Sequence, residues 1–153
     1  MIRLIDVYDC MMQDSLTEGS MMGVEMLPTE EVLYDLLKER DPVANISHKE
    51  MPTVIEHCAF VRCMPYLHWY LIQDWGEVPA WVGSIYISKE REIGISIFKK
   101  HQGKSYGTVA MKELMDKHPG KLYANISPDN QKSIEFFKRF GAKHIQNTYV
   151  IGS

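Results

Sequence analysis

Phe98-Lys99-Lys100-His101-Gln102-Gly103-Lys104-Ser105-Tyr106-Gly107-Thr108 joins an alternating apolar segment to an amphipathic one. A strand that turns into a helix there aims unpaired N–H groups and a partial positive charge at whatever sits before the helix, and the glycines let a ligand approach the backbone. Such a join is suited to an anion. The alternative is a glycine-rich turn with no ligand. The spacing matches neither Gly-x-x-x-x-Gly-Lys-Ser/Thr nor Gly-x-Gly-x-x-Gly, so neither a Walker A loop nor a dinucleotide fingerprint is present.

Glu92-Ile93-Gly94-Ile95-Ser96-Ile97 followed by Gln102-Gly103-Lys104-Ser105-Tyr106-Gly107 resembles motif A of the GNAT superfamily of acetyl-CoA-dependent N-acetyltransferases, usually Arg/Gln-x-x-Gly-x-Gly/Ala. Asn130-Gln131-Lys132-Ser133, then Phe137 and Phe140-Gly141-Ala142, resembles the same family's motif B. The match covers residues 80–151, whereas residues 1–79 agree only in the order of elements. The resemblance implies a mixed α/β fold: a mostly antiparallel twisted sheet flanked by helices on both faces. It also implies acetyl-CoA as cosubstrate, with its pyrophosphate on the N–H groups of Gln102, Gly103, Lys104, Ser105, Tyr106, Gly107 and Thr108. The pantetheine arm would run along the strand edge at Ile95, Ser96 and Ile97, near Asn130, Ser133 and Phe137. A splay between the 92–98 and 122–127 strands would give the arm room.

In such a family the acceptor amine attacks the thioester directly. The amine must first lose a proton, since an alkylammonium has a pKa near 10. Glu92 is the candidate base; its alternative role is a solvated turn residue. Asn125 on the next strand can orient a water or the acceptor, and the oxyanion is expected on a backbone N–H near Ile97. Two positions depart from the family pattern. Phe137 stands where a Tyr usually gives the thiolate its proton, and Ser105 occupies a glycine position, which would hold the loop slightly farther from the phosphates. The implied activity is acetyl transfer to a primary amine of a small molecule, such as an amino sugar, or of a peptide. A catalytically degenerate acyl-CoA-binding or interaction module is the competing reading.

The elements that must position these residues are legible from periodicity. Residues 2–8 read as a first strand, and residues 10–27, rich in methionine, as a mobile segment or a Met-lined helix. Pro28-Thr29-Glu30-Glu31 opens a helix to about Arg40, and residues 53–61 form a second that ends before Pro65. Strands follow at 66–73, 81–88 and 93–98, the last two joined by a charged hairpin turn at 89–91. A helix after Gly107 places Ala110, Met111, Leu114 and Met115 inward and stops at Pro119-Gly120. A strand at 122–127, a helix after Asn130 ending near Gly141, and a closing strand at 144–151 complete a mixed α/β order.

His57, Cys58, Cys63 and His68 do not match common zinc spacings, so no metal is expected. His48 and His57 are candidates for bordering the acceptor site. The aromatic group Tyr66, His68, Trp69, Tyr70, Trp75 and Trp81 serves either sheet packing or ring stacking. Length bounds the rest: 153 residues at 17.7 kDa bury roughly two-thirds of the open chain's surface in one domain, residues 1–79 on the acceptor side and 80–151 on the cofactor side. Seventeen basic against twenty acidic residues leave a charge of −3, which disfavours nucleic acid and anionic membrane as partners and with them an aminoacyl-tRNA acceptor. Three cysteines without framework spacing, and an opening segment with no apolar core, lead us to expect the cytoplasm. Exposed-looking apolar residues and a short last strand are compatible with a homodimer.

Overall fold

The computed structural model describes residues 1–18, 25–44 and 50–152. Four strands, β1 (Ile2–Asp6), β2 (His68–Asp74), β3 (Ala80–Ile87) and β4 (Ile93–Ile97), form one sheet in the order β1-β2-β3-β4, each pair antiparallel. β1 stops two residues earlier than its composition suggests. The Asp6 carboxylate accepts the N–H groups of Tyr8 (2.9 Å) and Asp9 (3.0 Å), starting α1 (Val7–Glu18) in place of more strand. α1 settles the choice offered for the Met-rich segment over its described part: Met11 is buried and Met12 exposed. Residues 19–24 lie outside the described residues.

Alternation along the strands sorts side chains onto two faces. On one, Ile72, Val82, Ile85 and Ile87 pack against Ala110, Met111 and Leu114 of α4 (Tyr106–Lys117) and Phe137 of α5 (Gln131–Lys138). On the other, Trp69 and Leu71 meet α1, α2 (Pro28–Lys38) and α3 (Val54–Arg62) through Val7, Met11, Leu33, Leu36 and Val61. α3 opens on a reciprocal cap between Thr53 and Glu56, and α2 ends at Lys38, short of Arg40. α2 and α3 are tied by a buried ion pair: Arg62 donates from Nε and Nη2 to Glu30 at 2.9 and 2.8 Å, and Glu30 also accepts the Leu27 N–H. No helix among the described residues is long and apolar enough to cross a membrane.

Two expected strands are absent. Residues 122–127 make only a single parallel bridge, with Ile93 N–H donating to Tyr123 O (2.7 Å) and Tyr123 N–H to Arg91 O (2.9 Å), after which the chain leaves the sheet. The Arg91 guanidinium, bonded to the carbonyls of Pro119 and Lys121, fixes the approach at that one point. Residues 144–151 likewise form no strand. With nothing laid along β4 beyond Tyr123 there is no edge for them to pair with, and Ile145, Tyr149, Val150 and Ile151 remain exposed.

Candidate active site

β4 ends at Ile97, a single 3₁₀ turn (Lys99–His101) follows, and α4 begins at Tyr106. The first intrahelical bond of α4 runs from Val109 N–H to Ser105 O (3.1 Å). Among the described residues no acceptor meets the main-chain N–H groups of Gly103, Lys104, Ser105, Tyr106, Gly107 or Thr108. Gln102 differs, because its N–H is already bonded to Lys99 O (3.2 Å). Six unpaired amides at a helix N-terminus, flanked by Lys99, Lys100 and Lys104, carry the partial positive charge that suits a polyanion. The turn that shapes it uses φ of 75° at Gly103 and 64° at Ser105. Ser105 holds the left-handed conformation that a glycine takes without strain.

The edge of β4 is open beside this loop. Ser88 N–H to Glu92 O (2.8 Å) and Phe98 N–H to Val82 O (3.0 Å) mark the even-numbered residues as those bonded to β3. Ile93, Ile95 and Ile97 therefore turn their main-chain groups to the opposite edge. Ile93 N–H is taken by Tyr123, and Ile97 O accepts the Gln102 side-chain amide at 3.0 Å. Ile95 N–H, Ile95 O and Ile97 N–H remain free for a ligand that pairs like a strand. Ser96 differs from its neighbours, since its main chain faces β3 and only its side chain reaches the cavity described below.

Loop and α5 meet across this edge. Lys132 Nζ donates to Gln102 Oε1 (2.8 Å), which anchors Gln102 from both sides and adds a cation to the loop. Sequence reading passed over Lys132, although it sits inside the Asn130-Gln131-Lys132-Ser133 stretch that drew attention to α5. A Cβ at Gly107 would lie 3.5 Å from Phe136, 3.6 Å from Ile95 and 3.8 Å from Ile97, so Gly107 sits between β4 and α5 with room for a Cβ in ordinary contact. Asn130 caps α5, its Oδ1 accepting Ser133 N–H (3.2 Å), and Ser133 is half-buried beside it. Phe137 is buried in the core, and Asn125 is exposed on the segment that has left the sheet. The Tyr106 hydroxyl donates to Asp74 (2.7 Å), away from the loop, which raises its own pKa and lowers that of Asp74.

The α2/α3 face of β4 borders a cavity of about 110 Å³. Gly94, Ile95 and Ser96 form its floor, with Ser84 and Tyr86 from β3, Trp69 from β2, Leu33, Leu36, Leu37 and Arg40 from α2 and beyond, and His57 and Phe60 from α3. Gly94 is required there: a Cβ would overlap the Tyr86 ring, which stacks on Tyr66 at 3.7 Å with the planes 5° apart. Burial, and then the neighbouring Tyr86, push the Tyr66 hydroxyl well above the ordinary phenol pKa. His57 donates from Nε2 to Glu30 O (2.9 Å), so Nδ1 carries the lone pair, and it has no partner. Burial holds this imidazole below its usual pKa, so it is a neutral acceptor at neutral pH. Glu92 does not line the cavity. It lies half-buried just before β4, on the strand face shared by Gly94 and Ser96. Among the described residues no three His, Cys, Asp or Glu side chains converge to hold a metal, and His48 lies outside them.

The aromatic group thus divides. Tyr66 and Trp69 wall the cavity, while Tyr70 bonds His118 (2.8 Å) and Trp75 lies under Arg3.

No curated protein sequence matches the chain significantly. Among solved structures the chain resembles an acetyltransferase from Thermus thermophilus at 17% identity and TM-score 0.64, covering 96% of this chain and 90% of that one. It also resembles yncA from Salmonella typhimurium, solved with its cofactor acetyl-CoA, at 18% identity and TM-score 0.58 over 92% and 78% of the two chains. A third is the spermidine N-acetyltransferase SpeG from Vibrio cholerae, at 13% identity and TM-score 0.58 over 92% and 77%. These likenesses establish the fold. The sequence profile described as the acetyltransferase (GNAT) family matches residues 31–142, which takes in the cavity, the β4 edge, the amide loop and α5, and the chain belongs to that family.

Proposed function

We infer that the chain transfers an acetyl group from acetyl-CoA to a primary amine. One observation carries this: six unpaired main-chain amides lie at the start of α4, beside an open strand edge at Ile95 and Ile97 that borders a partly open cavity. A diphosphate fits the first, an extended amide-containing arm the second, and an acceptor the third. Acetyl-CoA supplies the activated acyl group. The chain has to hold it, exclude water and manage protons.

The amides of residues 103–108, with Lys104 and Lys132 nearby, neutralise the diphosphate. The Ile95 main chain pairs with the arm, and Ile97 N–H donates to the carbonyl oxygen on which negative charge develops. Gly107 puts no side chain between Phe136 and Ile95, where the arm passes. Glu92, on the cavity face of β4, takes the amine proton through an intervening water, and Asn125 orients that water from the splayed segment. Phe137 has no proton to give, so water protonates the departing thiolate.

The test is release of CoA over a panel of amines, with Glu92→Gln alongside. That variant is expected to lose at least tenfold in kcat with the acetyl-CoA dissociation constant unchanged; unaltered turnover would remove Glu92 from the reaction. The Phe137 position favours one competing reading, an acyl-CoA-binding module without activity. Tight acetyl-CoA binding with no turnover on any amine would decide for it.

A further inference from the structure

The cavity walled by α2, α3 and β4 has a composition that selects among amines. Its walls are apolar and aromatic, with Leu36, Phe60, Tyr66, Trp69 and Tyr86 foremost, and among the described residues no Asp or Glu lines it. Among the described residues its one charged side chain is Arg40. That guanidinium makes one long contact, Nη2 to Ala44 O at 3.5 Å, and no carboxylate among the described residues lies within ion-pair distance of it.

The acids close to Arg40 in sequence are engaged elsewhere. Glu39 accepts Lys99 N–H (2.8 Å), Asp41 accepts Val43 N–H (3.0 Å) and Asp35 pairs with Lys38 (2.7 Å). An exposed arginine at the edge of a largely apolar, partly open cavity, with most of its donors uncommitted, is complementary to an anion. The same charge repels a ligand that brings further ammonium groups, and no carboxylate in the cavity offsets that repulsion. His57 borders the same cavity, but its Nδ1 is buried and meets no donor among the described residues, so the anion contact is carried by Arg40 alone.

We propose that the acceptor is a primary amine on an apolar or aromatic body that also bears one anionic group, a carboxylate or a phosphate, seated on Arg40. The inference rests on the acetyl-transfer reading for the meaning of the amine, while the anion contact stands on the cavity alone. Arg40 acts here as a specificity residue: it selects the acceptor and takes no part in proton transfer. A polyamine is excluded by the same reasoning.

Three matched amines test it with the full chain: benzylamine, 4-(aminomethyl)benzoate and 4-(aminomethyl)phenyl phosphate, with spermidine as the polycation. The kcat/KM from CoA release is expected to favour at least one of the two anionic amines over benzylamine by tenfold or more, with spermidine the poorest. Whichever anion leads identifies the group. In Arg40→Gln the ratio between that amine and benzylamine should fall towards one, whereas Arg40→Lys should retain part of it. A ratio near one in the unaltered protein, preference for spermidine, or a ratio that survives Arg40→Gln would overturn the proposal. Calorimetric binding of the two anionic amines, without acetyl-CoA, separates the two claims. Arg40-dependent binding with no acetyl-CoA turnover would keep the anion site and discard the acetyl-transfer reading; no Arg40-dependent binding alongside normal turnover would do the reverse.

Discussion

Gly107→Glu places a carboxylate at the start of α4, where the coenzyme is expected to run. The new Cβ meets Phe136, Ile95 and Ile97 at 3.5–3.8 Å, which is ordinary contact, so the backbone need not shift. An acidic residue in the first turn of α4 is favourable to the helix by about 0.3–1 kcal/mol. Replacing a helical glycine adds about 0.5–1 kcal/mol. The unliganded protein should therefore melt near the temperature of the unaltered one. Binding is another matter. A carboxylate about 4 Å from a phosphate costs about 4 kcal/mol per unit charge at the effective dielectric near a protein surface, roughly a thousandfold in the dissociation constant. The assay is thermal shift. Acetyl-CoA at a hundred times its dissociation constant adds about 2.7 kcal/mol, worth roughly 5–10 °C for a chain of this length. Gly107→Glu is expected to abolish that shift, and Gly107→Ala to keep most of it. A variant that folds normally and still shifts by the full amount would refute the placement of the coenzyme.

Other consequences follow from the same geometry. Arg62→Met leaves the buried Glu30 carboxylate without its partner and should cost about 3–5 kcal/mol, a fall in Tm on the order of 10 °C; the Arg62→Met, Glu30→Met pair should recover part of this, and equal Tm values for the single variant and the parent would deny the ion pair its role. Ser105→Gly relieves a left-handed residue at about 1–2 kcal/mol but adds freedom to the unfolded chain, for a net gain of about 0.5–1 kcal/mol in denaturant melts, with acetyl-CoA affinity retained. Burial, first among its causes, holds the imidazoles of His57, His101 and His118 below their usual range. The unfolded chain therefore binds protons first as pH falls, so these groups leave stability flat above about pH 7 and reduce it below about 6.5. A denaturant midpoint that rises on going from pH 7 to pH 5.5 would contradict that sign.

Sequence legibility followed the range of the forces involved. α4 showed itself because Ala110, Met111 and Leu114 recur at helical spacing against a single buried face, and the β3/β4 hairpin because isoleucines alternate across a short charged turn. Residues 122–127 alternate just as well, yet a strand needs a neighbour along its whole length, and Arg91 and Tyr123 fix only one point of contact. The closing segment failed for the same reason. At the site, the amide loop was readable because it is local. The Arg62–Glu30 tie, the unpartnered His57 Nδ1 and the lone Arg40 arise where separate elements converge, and no spacing within one element announces them. Ser105 shows a further limit: a motif flags the missing glycine, but only the backbone angle shows that the serine adopts the glycine's conformation.

A crystal structure of the protein soaked with acetyl-CoA addresses the central claim most directly. The diphosphate oxygens should sit about 3 Å from main-chain nitrogens within residues 103–108, with the arm bonded to Ile95. A coenzyme whose diphosphate lies elsewhere, with those amides turned to solvent, would contradict the account.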